Sequence, residues 1–162
     1  MDAIELLVSQ HRDMETLARQ VLDAADDTTR LALFAQAGDE LTAHLASEEQ
    51  IFYPEVRAKR TEDILLESLE EHLSLKRLLA DLLALQPSDQ TFEPKFKVLR
   101  EQMEHHHKEE EENLFPKVLK LMDGPHREAL GKKMKSLQVS LINGGNARQA
   151  VADQTEEAAP LK

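Results

Sequence analysis

The chain has 162 residues, 41% of them hydrophobic, no cysteine, and a formal net charge of −11 from 20 basic and 31 acidic side chains. That length suits one domain with its own core rather than two. The charge argues against nucleic-acid partners and anionic membrane surfaces, and the missing thiols exclude disulfides and thiolate metal sites.

Only five glycines and six prolines occur, and long segments lack both, which predicts an all-α chain. No stretch approaches a transmembrane span, and Met1–Glu5 has neither the basic start nor the apolar run of a signal peptide. A cytoplasmic protein is the expectation.

Residues 2–25 read as the first helix, with Ile4, Leu7, His11, Met14, Ala18 and Val21 along one seam. Asp26, Asp27 and Thr28 turn the chain and cap the next helix. The second helix runs over 29–57, with seam Phe34, Ala37, Leu41, His44, Glu48 and Ile51. Lys59-Arg60-Thr61 turns the chain again, with Thr61 as the cap of a third helix over 62–85. The seam of that helix is Leu65, Leu69, His72, Lys76, Leu79 and Leu83. After the break at Pro87–Gln90 a fourth helix covers 92–122, with Pro94 tolerable in its first turn. Its seam holds Phe96, Leu99, Met103, His106, Glu110 and Leu121. Gly124-Pro125 stops it, and a shorter amphipathic helix follows over 126–141. The expected architecture is an up-down-up-down four-helix bundle with a short additional C-terminal helix, spanning residues 1–142. Residues 143–162 are expected to be a disordered tail, because large apolar side chains are almost absent from 146 onward.

The chemistry lies in a repeat. His44-x-x-x-Glu48 is followed by Phe52-Tyr53-Pro54, and sixty-two residues later His106-x-x-x-Glu110 is followed by Leu114-Phe115-Pro116. A helical i, i+4 pair shares one face about 6 Å apart, close enough to grip one metal centre. Two such pairs facing each other across a bundle let carboxylates bridge two ions while histidines complete their shells. A single histidine precedes each pair, His11 and His72. In an up-down bundle, residues at one height lie symmetrically about each turn. His11 and His44 centre on the Asp26–Thr28 turn, Glu48 and His72 on Lys59–Thr61, and His72 and His106 on Pro87–Gln90. The six side chains are therefore expected at one level of the core. Without a metal, two carboxylates buried together would cost several kcal/mol or be forced to protonate.

His105 and His107 lie about 100° to either side of His106. Polar neighbours place His105 in solvent. His107 has apolar residues near its phase, but the repeat register assigns the ligand role to His106. Glu109–Glu112 otherwise reads as a solvated face, and Phe52, Tyr53, Leu114 and Phe115 as plugs of the core.

The set His11, His44-x-x-x-Glu48 with Phe-Tyr-Pro, His72, and His106-x-x-x-Glu110 with Leu-Phe-Pro resembles the hemerythrin-like, or HHE cation-binding, family over about residues 5–122. The resemblance implies a four-helix bundle holding two iron ions, with an oxo or hydroxo bridge. It implies bridging roles for Glu48 and Glu110 and terminal roles for His11, His44, His72 and His106. Carboxylate with imidazole also suits iron on chemical grounds, with zinc and manganese open. Oxygen-carrying hemerythrins have His-x-x-x-His on the third helix, where this chain has His72-Leu-Ser-Leu-Lys76. Lys76 either packs its stem inside with the amine outward or brings the amine to the metals, and Lys76 and His107 are the expected neighbours of the ligands. The implied function is binding of O₂, peroxide or NO for sensing, storage or stress response. The alternatives are a di-iron oxidase, peroxidase, NO reductase or iron donor, and a metal-free structural bundle.

Overall fold

The computed structural model describes all residues, 1–162, and holds helices and turns without strands. In chain order the helices are α1 (Ala3–Asp23), α2 (Asp27–Ser47), α3 (Tyr53–Val56), α4 (Glu62–Leu83), α5 (Phe92–Glu109), α6 (Phe115–Leu121) and α7 (Gly124–Asn143). α1 packs on α2, α5 and α7, and α4 packs on α5, which makes a helical bundle. No helix is long and apolar enough to cross a membrane.

The helix starts follow local chemistry. Asp2 accepts from the Glu5 amide at 2.9 Å while the Glu5 carboxylate accepts from the Asp2 amide at 3.2 Å, a reciprocal cap. Asp26 accepts from the Thr29 amide at 2.7 Å, as the turn cluster suggests. Thr61 departs from its expected role. Its hydroxyl does not cap α4 but donates back to the Val56 carbonyl at 2.8 Å and accepts from the Ala58 amide at 2.9 Å. It ties the α3–α4 turn to itself.

The second and fourth predicted helices are not continuous. Each widens into a π-helical turn, at Glu48–Phe52 and Glu110–Leu114, and then resumes as α3 and α6. The Tyr53 amide bonds Glu48 O and the Phe115 amide bonds Glu110 O, five residues back. The cause is visible in the repeat. Pro54 and Pro116 lack an amide hydrogen, and their rings would collide with the carbonyl four residues earlier in a regular helix. A widened turn just before each proline relieves that collision. Both ligand-type glutamates sit at the first position of such a turn.

The core has two apolar layers. Leu7, Phe52, Tyr53, Leu65, Leu69, Leu114, Phe115 and Met134 belong to one, and Met14, Leu41, Leu45, Leu75, Leu79, Phe96, Leu99 and Met103 to the other. Along each long helix, the buried histidines and glutamates fall between residues of the first layer and residues of the second. The polar groups are thus sealed from water at both ends.

α7 is longer than the sequence suggests and lies against α1 and α2. Gly131 permits this closeness, since a Cβ there would stand 2.8 Å from the Met1 carbonyl oxygen. The tail corrects the expectation of disorder. Residues Arg148–Asp153 form a 3-10 turn, Val151 is buried, and Ala158, Ala159 and Leu161 pack on the first apolar layer. Arg148 pairs with Asp39 at 3.1 Å, and Arg77 donates to the carbonyls of Thr155 at 2.8 Å and Glu156 at 3.1 Å. Deleting residues 146–162 is expected to cost about 2–4 kcal/mol, because burial of one aliphatic side chain contributes roughly 1.5–3 kcal/mol against the entropy of ordering. A urea midpoint unchanged by the deletion would show that the strap does not hold in solution.

Candidate metal centre

The structure brings all six expected residues together, and every one is buried. Glu48 Oε1 lies 3.4 Å from His44 Nε2 and 3.2 Å from His72 Nε2. Glu110 Oε1 lies 3.2 Å from His11 Nε2 and 3.5 Å from His106 Nε2. Each carboxylate therefore stands between histidines contributed by different helices. Ligand atoms of His11, His44, Glu48 and Glu110 lie within 4.8 Å of one another, as do those of Glu48, His72 and His106.

The outward side of each imidazole is held. His11 Nδ1–H donates to Glu111 at 2.8 Å, and His72 Nδ1–H to Glu49 at 2.8 Å. His106 Nδ1–H donates to Glu71 at 2.9 Å, and His44 Nδ1–H to Gln10 Oε1 at 2.9 Å. A carboxylate or an amide oxygen can only accept here, so Nδ1 carries a proton, and whenever the ring is neutral the lone pair of Nε2 points inward. Inside, His11 Nε2, His44 Nε2, both Glu48 oxygens and Glu110 Oε1 have no hydrogen-bond partner. Buried polar atoms are nearly always satisfied. Convergent, orphaned lone pairs with outward-anchored rings are the kind of donor set that holds a metal ion, so the residues fit a metal.

Electrostatics agree. Burial and the facing Glu110 carboxylate push the Glu48 carboxyl up. Burial works against the Glu110 carboxylate too, but the His106 cation beside it, with hydrogen bonds from neighbours, brings it well below the ordinary range. His106 mirrors this. Burial lowers it, and Glu110, Glu48 and Glu71 together hold it well above a usual histidine. Burial, followed by repulsion from His11, drives both His44 and His107 well down.

His107 belongs to the site more closely than the register suggests. It is buried, its ring stacks on His11 at 3.9 Å and 9°, and its Nδ1–H donates to Glu15 at 3.3 Å. Ligand atoms of His11, His44 and His107 lie within 4.8 Å of each other. Lys76 resolves differently from both readings. It is buried, but its amine pairs with Glu49 at 2.9 Å and reaches the site only through that carboxylate, which also holds His72. His105 is 65% exposed along its side chain, as expected.

Three groups were missed. Glu111 is not merely solvated but anchors His11, with Arg12 pairing to the same carboxylate. Tyr53 is more than a plug, since its hydroxyl donates to Glu110 Oε2 at 2.8 Å and lies 3.1 Å from His72 Nε2. Gln10, Glu49 and Glu71 complete the anchors. The signal for the anchors was the repeat itself. The residue after each ligand glutamate (Glu49, Glu111) holds the single histidine of the other half. The residue before each single histidine (Gln10, Glu71) holds the following motif histidine.

A family model described as the hemerythrin HHE cation binding domain matches residues 2–118 and also residues 69–159. Among solved structures, that of a hemerythrin HHE cation binding domain-containing protein from Mycobacterium kansasii superposes with a TM-score of 0.79 at 24% identity, covering 93% of this chain and 97% of that one. It shares the fold. A curated protein of Nostoc sp. named DNA nickase is 26% identical over 152 residues, which are 93% of this chain and 43% of that protein. This chain thus spans less than half the length of that relative.

Proposed function

The chain belongs to the hemerythrin HHE cation-binding domain family, and on that premise we propose that it holds two iron ions in an up-down-up-down bundle and binds O₂, peroxide or NO there. Glu48 and Glu110 are the bridging carboxylates, and His11, His44, His72 and His106 the terminal ligands. When bound, an iron pair supplies reversible redox chemistry and open coordination positions. The protein's own residues do the rest. Nδ1 anchors orient each ring, the two apolar layers exclude bulk water, and Tyr53 brings a hydroxyl to the site. The reading rests on one observation above others, the orphaned inward atoms of His11, His44, Glu48 and Glu110. Sensing, storage or protection against oxidants is the role this chemistry serves, with ligand binding rather than turnover as its core. The net charge of −11 disfavours contact with DNA, so the nickase name stays with the longer relative.

Metal analysis of the purified protein, with spectra under air and then anaerobically with NO, tests the reading. Two irons per chain and near-ultraviolet charge-transfer bands that change with NO are the expected result. Protein that takes up no iron after anaerobic loading, or takes it up without any spectral response to NO, would sink it.

A further inference from the structure

Of the four rings expected to bind metal, His11, His72 and His106 are held at Nδ1 by carboxylates, and His44 by the side-chain amide of Gln10. The difference has a chemical consequence. A carboxylate can only accept, so it keeps the proton on Nδ1 whichever way it turns. An amide has an accepting end and a donating end. Turned over, Gln10 would donate to His44 Nδ1 and force the one proton of a neutral ring onto Nε2. Glu48 Oε1, 3.4 Å from that nitrogen and without a partner of its own, would accept the proton and hold the ring in the form that cannot bind a metal. Burial, followed by repulsion from His11, holds His44 well below the usual histidine range, so the ring is neutral at pH 7 and its tautomer decides what it offers.

A relay of hydrogen bonds forbids that turn, and each link is fixed by the one before it. The Ser47 hydroxyl stands 2.8 Å from the His44 carbonyl, which can only accept, so Ser47 donates there. Its oxygen is left to accept, so the end of Gln138 that lies 2.8 Å from it is the NH₂. The second hydrogen of that NH₂ needs an oxygen, and finds Gln10 Oε1 at 3.0 Å. Gln10 Nε2 then donates to Gln138 Oε1, and Gln10 Oε1 accepts from His44 Nδ1–H at 2.9 Å. The relay begins on the backbone of His44 and ends on its ring. Gln138 lies in the buried stripe of α7 with Leu130 and Met134, and only 3% of its surface is exposed. A buried glutamine costs stability unless both ends of its amide are bonded, as they are here. Resting on the metal reading above, we infer that Gln138 is a positioning residue: through Gln10 it fixes His44 in the tautomer that presents the Nε2 lone pair to a metal ion. The helix outside the expected four-helix bundle thereby reaches the site.

Imidazole nitrogen–proton correlation spectra of the isotope-labelled, metal-free protein read the tautomer, and calorimetric titration with Zn²⁺ reads its use. The parent is expected to show His44 protonated on Nδ1. Gln138→Leu frees Gln10 to turn. It is expected to move His44 to the Nε2–H form and to weaken Zn²⁺ binding by about tenfold or more. Ser47→Ala, which removes the first link and leaves Gln138 in place, is expected to shift the tautomer in the same direction by less. Gln10→Glu added to Gln138→Leu is expected to restore the Nδ1–H form and to return Zn²⁺ affinity to within about threefold of the parent, because a carboxylate has no donor to turn inward. A Gln138→Leu protein that keeps the Nδ1–H form would overturn the inference. So would a loss of Zn²⁺ affinity that Gln10→Glu does not restore, since Gln138 would then serve only to pack α7. A parent that binds no Zn²⁺ would overturn the metal reading and the purpose given to the relay, while the metal-free spectra still decide whether Gln138 sets the tautomer.

Discussion

Glu48→Gln and Glu110→Gln are both expected to lose tight metal uptake, yet to move the stability of the metal-free protein in opposite directions. Each carboxylate stands between two histidines from different helices, so on the proposed reading each loss would remove a bridge and at least one ion with it. The metal-free proteins differ because the two carboxylates live in different states. Glu48 is pushed up by burial and by Glu110, so its folded pKa exceeds its unfolded one. Above the ordinary carboxylate range the ionised Glu48 therefore costs stability, and a neutral amide of the same shape removes that cost. Metal-free Glu48→Gln is expected to be about 1–3 kcal/mol more stable than the parent at pH 7. Glu110 is held down by His106 despite burial, so it contributes stability above the ordinary range. Glu110→Gln takes from the His106 cation one of its three carboxylate neighbours and is expected to destabilise the metal-free protein by about 2–4 kcal/mol. Urea unfolding with chelator, alongside metal content, reads both effects. Glu112→Gln, exposed on the same turn, serves as control. Retention of two ions by both variants would reject the bridging roles, and parallel shifts in metal-free stability would reject the electrostatic account.

Removing the metal should lower the melting temperature by roughly 15–30 °C at neutral pH, taking about 4 kcal/mol per ion at thousandfold excess and about 2–4 °C per kcal/mol for a chain of this size. The gap should widen as pH rises from 6 to 8. His106 is raised well above its ordinary value and His11 and His72 are raised too, in each case against burial, by neighbouring carboxylates. A raised histidine contributes stability that is complete below its unfolded pKa and lost as pH climbs through the folded one. The metal-free protein therefore loses stability above about pH 6.5, the ordinary histidine value. His44 and His107 are lowered, so their opposite contribution falls below that pH and does not interfere. On the proposed reading the same histidines bind the metal and must be deprotonated to do so, so higher pH favours the metal. Paired melting curves at pH 6 and pH 8 test the sign. A gap that narrows with rising pH would mean these imidazoles do not compete with protons for the metal.

How far each feature was legible follows from its range along the chain. The i, i+4 pairs, the single histidines and the apolar seams are set by helical periodicity, which acts over a few residues. The matching of His11, His44, Glu48, His72, His106 and Glu110 at one height followed from turn positions alone. The π turns were half legible, since Pro54 and Pro116 announced a local break without its form. Lys76 could be placed on the inward seam, but its pairing with Glu49 depended on a residue of another helix.

The amino-acid sequence by itself determined the helical class, the repeat and the six convergent side chains, because each is a matter of spacing within a helix. Tertiary structure alone decided the burial of His107 against His11 and the course of the tail. A bundle helix touches two neighbours, so two adjacent phases of α5 are buried at once: His106 turns towards Glu71 and His72 on α4, and His107 towards His11 and Glu15 on α1. A single-seam reading admits only one of them. The tail is held by Arg77 bonding its backbone carbonyls, by the Arg148–Asp39 ion pair between residues far apart in the chain, and by a few small apolar contacts. Backbone carbonyls are the same in every sequence, so only the folded surface reveals where such a strap lies.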